Sequence, residues 1–190
     1  VPVSATEFLV IYTDGSDNIV ATSCTVSGTT ITVGATSTIL SDANVLVVRW
    51  AERDESTTGY VVHFYDSTNT ISYAIAFTYS AGSFAFGSAL SLLGANSRGS
   101  LTSLGNGGFL FAYSQGTNVK VNGFVRSGTS LGSTGTAATV GTCTNNSFVC
   151  GTRMGKGNAV IGWVSSTNDN SWIAVDLNGT TASALGTVGV

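Results

Sequence analysis

The sequence predicts an all-β fold, a β-propeller of four antiparallel blades of roughly 50 residues each. Three observations carry that expectation: a composition suited to strands and turns, an apolar strand that recurs four times, and a glycine turn at a near-constant distance after each copy. Of the 190 residues, 27 are Thr, 25 Ser and 24 Gly, and only 9% are charged, against about 25% in an ordinary soluble domain. Thr suits a half-exposed pleated strand, while Ser and Gly supply turns. Pro occurs once, and good formers of exposed helix faces are sparse.

The first strand of each unit ends in an aromatic residue: Phe8 to Tyr12, Val61 to Tyr65, Phe109 to Tyr113 and Ala159 to Trp163, with aromatic spacings of 53, 48 and 50. A polar turn follows, then a second strand closed by Gly28, Gly82, Gly128 or Gly179, at offsets of 16, 17, 15 and 16 from the aromatic. Third strands start as Thr29 to Val33 and Ser83 to Phe86, and fourth strands are expected at Val45 to Trp50, near Ser100 to Leu104 and at Phe148 to Arg153. The first strands are apolar on successive residues, so both their faces should be covered. A four-stranded meander buried that way and repeated at a fixed period describes stacked propeller blades. A β-sandwich is the alternative; it explains the strands but not the period.

The chain reads as a single repeat domain with units at about 7–58, 59–107, 108–157 and 158–190, and residues 1–6 are available to complete the last. The interval from Gly179 through the chain ends to Tyr12 is 23 residues, against 37, 31 and 35 inside the chain. The ring therefore either closes through a trimmed loop or is open and incomplete.

The stretch Glu7-Phe8-Leu9-Val10-Ile11-Tyr12-Thr13-Asp14-Gly15, with Cys24-Thr25-Val26-Ser27-Gly28-Thr29-Thr30-Ile31-Thr32-Val33-Gly34, resembles a tandem repeat of phage tail-fibre and bacterial surface proteins. The likeness is strong over the first unit; the other three keep the skeleton and lose the letters. It implies a virion or cell-surface location and an adhesive role, and it supplies no catalytic residues.

The chemistry on offer is thin. A net charge of −3 gives no basic footprint for nucleic acid, and no apolar run is long enough for a membrane helix. His63, the single histidine, lies in an apolar strand with no nucleophile spaced to it. Glu52, Asp54 and Glu55, with Arg53 among them, read as a solvated turn or, as a rival, a glycosidase-like acid pair. The loop from Asp14 to Asn18 lacks the remaining ligands of a calcium site; no metal and no cofactor are expected. Cys143 and Cys150 are spaced for a disulfide across a hairpin, leaving Cys24 as a buried thiol. Asn18, Asn69, Asn118 and Asn168 fall one in each first turn and, if the units are equivalent, share one rim, where their amides suit sugar hydroxyls as ligand-binding groups; turn propensity explains them as well.

These features favour a non-enzymatic structural and attachment module, extracellular or on a virion. Its expected partners are surface glycans, bound weakly and multivalently, or other copies of itself. A carbohydrate-active enzyme and a structural virion subunit without a ligand are the alternatives.

Overall fold

A computed structural model describes residues 1–41, 44, 46–54, 58–92, 99–144 and 147–189. Val45 and Glu55 lie outside the described residues. The strands form four antiparallel sheets. The first contains β1 (Glu7–Thr13), β2 (Ile19–Ser27) and β3 (Thr30–Leu40). The second contains β4 (Leu46–Asp54), β5 (Gly59–Asp66), β6 (Ile71–Ser80), β7 (Ser83–Phe86) and β8 (Leu90–Leu92). The third contains β9 (Ser100–Gly105), β10 (Gly108–Gln115), β11 (Asn118–Ser127), β12 (Ser130–Leu131) and β13 (Ala138–Thr142). The fourth contains β14 (Val149–Gly155), β15 (Asn158–Val164), β16 (Asn170–Asn178) and β17 (Thr181–Ala184).

Each sheet is a meander, and its hairpins follow the turn chemistry. The second turns hold two residues between paired ends, as in Ser27↔Thr30 and Asn178↔Thr181. Gly28, Gly128 and Gly179 take φ near +60° there, a conformation that the right-handed twist of a tight hairpin demands and that glycine adopts at little steric cost. In the second sheet Ala81 and Gly82 share that role, both at positive φ.

The sheets are out of phase with the 50-residue units. β4 pairs with β5, β9 with β10 and β14 with β15. The fourth strand of each unit therefore joins the first strand of the next unit and becomes the innermost strand of that sheet. Residues at the start of the chain do the same for the first sheet: Pro2 bridges Phe8, and the Leu9 amide donates to Val1 O at 2.8 Å. They do not complete the fourth sheet, as the chain-end arithmetic suggested. There Gly189 pairs with Trp172 instead, beside β17, much as β8 and β13 lie beyond β7 and β12.

Three apolar cores fill the spaces between successive sheets. Leu9, Ile19 and Ala21 of the first sheet meet Tyr60, Val62 and Phe64 of the second. Val61 and Ala76 of the second meet Phe109, Phe111 and Tyr113 of the third. Leu110 and Ala112 of the third meet Ala159, Ile161 and Trp163 of the fourth. Among the described residues no core joins the fourth sheet to the first, and the array is open. Four stacked sheets leave no place for the two facing sheets of a sandwich.

The aromatic register is also corrected. Tyr113 and Trp163 face the preceding sheet, and the residue that does so in the second sheet is Phe64. Tyr65 points to the opposite face, because side chains alternate along a strand. Tyr12, opposite in sense to Leu9, shares the direction of Phe64, Tyr113 and Trp163.

The three cysteines are free. Cys143 and Cys150 do not face each other across a hairpin: Cys143 follows β13, which pairs with β11, whereas Cys150 belongs to β14 in the next sheet. Cys143 is buried with its Sγ directed at Gly116 O, and burial raises its thiol pKa; Cys150 is exposed. Cys24 is buried in β2, as expected.

Candidate functional site

The innermost strands approach one another, β4 against β9 and β9 against β14, and between them runs a groove. At one end a cavity of about 440 Å³ is lined by Val48, Arg49, Trp50, Gly99, Phe148, Val149 and Cys150. Its walls carry two large aromatic side chains that remain partly open to solvent, Trp50 at 39% and Phe148 at 73% exposure. Large apolar rings held open to solvent beside a cleft are unusual in a chain that buries most of its Phe and Tyr.

Local strand geometry explains how Trp50 comes to be there. The β4–β5 register shifts between Val48 and Trp50, so Arg49 is the extra residue of a bulge. Bulges twist a strand and re-aim its side chains. Glu52, two residues on and on the same face as Trp50, accepts the Trp50 indole N–H at 2.9 Å. That bond fixes the plane of the indole and leaves its face available. Behind it, His63 is fully buried, paired across the ladder with Trp50 and set against Phe111 with ring centroids 4.7 Å apart. Burial, reinforced by the Arg49 charge, lowers the His63 pKa to about 3. The imidazole is therefore neutral at physiological pH and serves as core packing.

Further along the same strands lies a second cavity of about 200 Å³, lined by Glu52, Arg53, Thr102, Ser103, Gly151, Thr152 and Arg153. The pattern repeats at intervals of 50 residues: Arg53, Ser103 and Arg153 pair with or stand opposite Tyr60, Phe109 and Ala159. Gly151 lets β14 approach β9 closely, since a Cβ there would meet Thr102 Oγ1 at 2.5 Å.

The acidic cluster is divided by the fold. Glu52 and Asp54 are strand residues of β4, not turn residues. Asp54 is buried and bound to Arg126 of the third sheet at 2.8 Å. The Arg126 guanidinium lies over Gly59, where a Cβ would come within 2.0 Å of its Cζ. Asp54 thus ties two sheets together. Alternation along the strand places the two carboxylates on the same side by parity, but the Arg126 pair fixes Asp54 at the sheet interface.

Asn18, Asn69 and Asn168 lie in turns and Asn118 is the first residue of β11, so the four are not equivalent. Asn18 Nδ2 donates to Asp14 Oδ2 at 3.1 Å, and Asn69 Nδ2 to Asp66 Oδ2 at 2.8 Å. The Asn18 side chain, with the amides of Ser16 and Asn18, holds the Asp14 carboxyl below the usual range. Burial pushes the Asp66 carboxyl up, but hydrogen bonds from Asn69, Thr68 and Asn44 outweigh it and lower the pKa. Asn118 opens β11 after the two-residue turn Gly116-Thr117. Asn168 sits at φ 65° and corresponds to Asp17 at φ 62°, because the Ser165–Asp169 turn copies the Asp14–Asn18 turn bond for bond. The counterpart of Asn18 is therefore Asp169.

Trp50, Arg49 and Phe148 were not singled out in the sequence. The signal that could have drawn attention to this groove is the 100-residue separation of Arg53 and Arg153 around Ser103, two multiples of the repeat.

No protein-family model matches the sequence, and no curated protein matches it. Among solved structures, the chain is similar to the Aleuria aurantia lectin in complex with Fucα1-6GlcNAc, at 15% identity and a TM-score of 0.59, over 98% of this chain and 61% of that one. A second structure of that lectin, described as a six-bladed β-propeller with a novel mode of fucose recognition, matches at 13% identity and a TM-score of 0.59, over 96% and 59%. A triple arginine-to-alanine mutant of AofleA from Arthrobotrys oligospora matches at 9% identity and a TM-score of 0.59, over 97% and 55%. The likeness is one of fold. The chain spans less than two thirds of the length of these lectins. They are fungal, and the resemblance to phage and bacterial repeats rests on the first unit alone.

Proposed function

We propose that the chain is a non-enzymatic glycan-binding module and that the groove between the innermost strands is its site. The observation that carries the reading is the exposed pair Trp50 and Phe148 beside Arg49 on one cavity, with Glu52 bound to the Trp50 indole. Sugars offer apolar C–H faces that stack on aromatic rings, and hydroxyls that charged groups bind through strong hydrogen bonds. A binding site in the fold family of sugar-binding propellers supports the same reading. The inner groove is favoured over the polar turns because Asn18 and Asn69 spend their amide donors inside their own turns.

Among the described residues of the acidic cluster, Asp54 is engaged by Arg126 and Glu52 by the Trp50 indole, which supports binding over hydrolysis. The repeat likeness of the first unit supports attachment at a virion or cell surface as the setting.

A glycan array containing fucosylated structures tests the proposal. The native chain should bind a subset of glycans, Trp50→Ala should lose at least about tenfold in affinity through the missing stacking face, and a variant with all four of Asn18, Asn69, Asn118 and Asn168 changed to Ala should keep binding. Binding that survives Trp50→Ala and disappears with the asparagines would move the site to the turns. Turnover of a polysaccharide would replace the reading with an enzyme.

A further inference from the structure

We propose that the polar end of the groove is a subsite for an oxyanion carried on a sugar, a carboxylate or a sulfate, so that the chain prefers acidic glycans. This rests on the groove being the glycan site, and it adds the chemical class of the ligand.

The cavity of about 200 Å³ is lined by two guanidiniums, Arg53 and Arg153, and three hydroxyl side chains, Thr102, Ser103 and Thr152; Glu52 is its one carboxylate. The balance of formal charge is therefore +1 in a chain whose net charge is −3. Glu52 accepts the Trp50 indole N–H, which directs it toward the aromatic end. Both guanidiniums are steadied by backbone carbonyls: Arg53 Nη1 donates to Val3 O at 2.7 Å and Arg153 Nε to Gly155 O at 3.2 Å. A fork held in place in this way loses little freedom when it binds a planar or tetrahedral anion.

The hydroxyls supply the second observation. Ser103 is 6% exposed, and its Oγ has no hydrogen-bond partner. Thr102 Oγ1 and Arg53 Nε, on the same lining, are buried and unpartnered as well. Buried polar atoms are ordinarily satisfied, and each exception asks for a reason. One oxyanion, with several lone pairs on two or three oxygens, satisfies several such donors together. The groups come from three successive sheets, so a single ligand would be read by β4, β9 and β14 at once. The size matches: the cavity takes a carboxylate or sulfate with part of a ring, while the rest of the sugar extends toward Trp50 and Phe148.

Digalacturonate, its neutral methyl ester and a sulfated galactobiose are the probes, titrated by calorimetry into the full chain. An anionic probe should bind at least about tenfold more tightly than the ester, and the preference should shrink as salt rises toward about 0.5 M. Arg153→Gln should bring the ratio of acidic to neutral affinity toward unity. Arg53→Gln should do the same, with its melting temperature checked because Arg53 also binds Val3 O; Arg153→Lys should restore part of the ratio. Digalacturonate and the sulfated sugar report separately on carboxylate and sulfate. Equal affinity for all three probes, with binding abolished by Trp50→Ala, would overturn the oxyanion subsite and leave the glycan groove standing. No binding by these probes or by any glycan on the array would overturn both.

Discussion

The interface between the second and third sheets and the outer face of the first sheet are built from similar strands and end up in opposite surroundings. In the interface, Val61, Phe109, Phe111, Tyr113 and Phe124 are buried to within 1% of completely, and Phe109 stacks on Phe124 at 5.7 Å. On the outer face of the first sheet, Val10 and Tyr12 are exposed, and Ile31 and Val33 are more than half exposed. The alternation of side chains makes both faces of a first strand apolar, but only a neighbouring sheet makes them core. Strand formation is a local property of these sequences; burial is a property of the stack.

The largest test of that contrast is the ion pair at the covered interface. Asp54→Ala leaves the Arg126 guanidinium buried without its counter-charge, and should cost about 3–5 kcal/mol, measured by urea unfolding. A loss under about 1 kcal/mol would mean that the second and third sheets do not depend on this tie.

A smaller effect should come from His63, which lies in the same interface. The unfolded chain protonates it near the ordinary value of 6.5, while the folded chain holds its pKa at about 3. The sign follows: the unfolded state binds the extra proton, so stability is complete above pH 6.5 and declines as pH falls through the window down to about 3. The slope should approach about 1.4 kcal/mol per pH unit. Since it is the only histidine, unfolding at pH 6.5 and 5 isolates it from the carboxylates, and His63→Leu should flatten the difference. A slope that persists in the variant assigns the effect to another group.

The smallest effect belongs to the uncovered face. Val33 is 67% exposed, and Val33→Ala should change stability by no more than about 0.5 kcal/mol. A cost of about 2 kcal/mol would show that this face is covered in solution, and the contrast between the two regions would dissolve.

The repeat and its hairpins were legible because they are written locally. Aromatic ends, two-residue turns and the glycine positions are set by side-chain alternation and dihedral preference, and β2, β6, β11 and β16 lie where those signals place them. The phase of the sheets was not legible, since nothing in Leu46 to Asp54 says whether it pairs with the strand before it or after it. Tyr65 was mistaken for Phe64 because adjacent aromatics differ only in which face they occupy, and register decides that. The turn asparagines share a spacing without sharing a geometry: Thr70, Gly116 and Asn168 carry the positive φ at different steps of three turns. Trp50 was hidden by a one-residue bulge, and Asp54 by a partner 72 residues away. Both depend on contacts that no single stretch of sequence contains.

The offset between repeat unit and sheet also governs how such a chain can be divided or lengthened. A cut at Gly59, where a sequence unit begins, would separate β5 from its hydrogen-bonded neighbour β4 and expose an unpaired strand edge on each fragment. A cut between Leu40 and Leu46, or between Leu92 and Ser100, leaves every ladder of the described residues whole. Gain or loss of a copy by recombination at unit boundaries must therefore exchange an innermost strand between neighbours each time. Every seam then joins a strand from one ancestral copy to a hairpin from another, and the lining of the groove would be reshuffled separately from the blades that carry it.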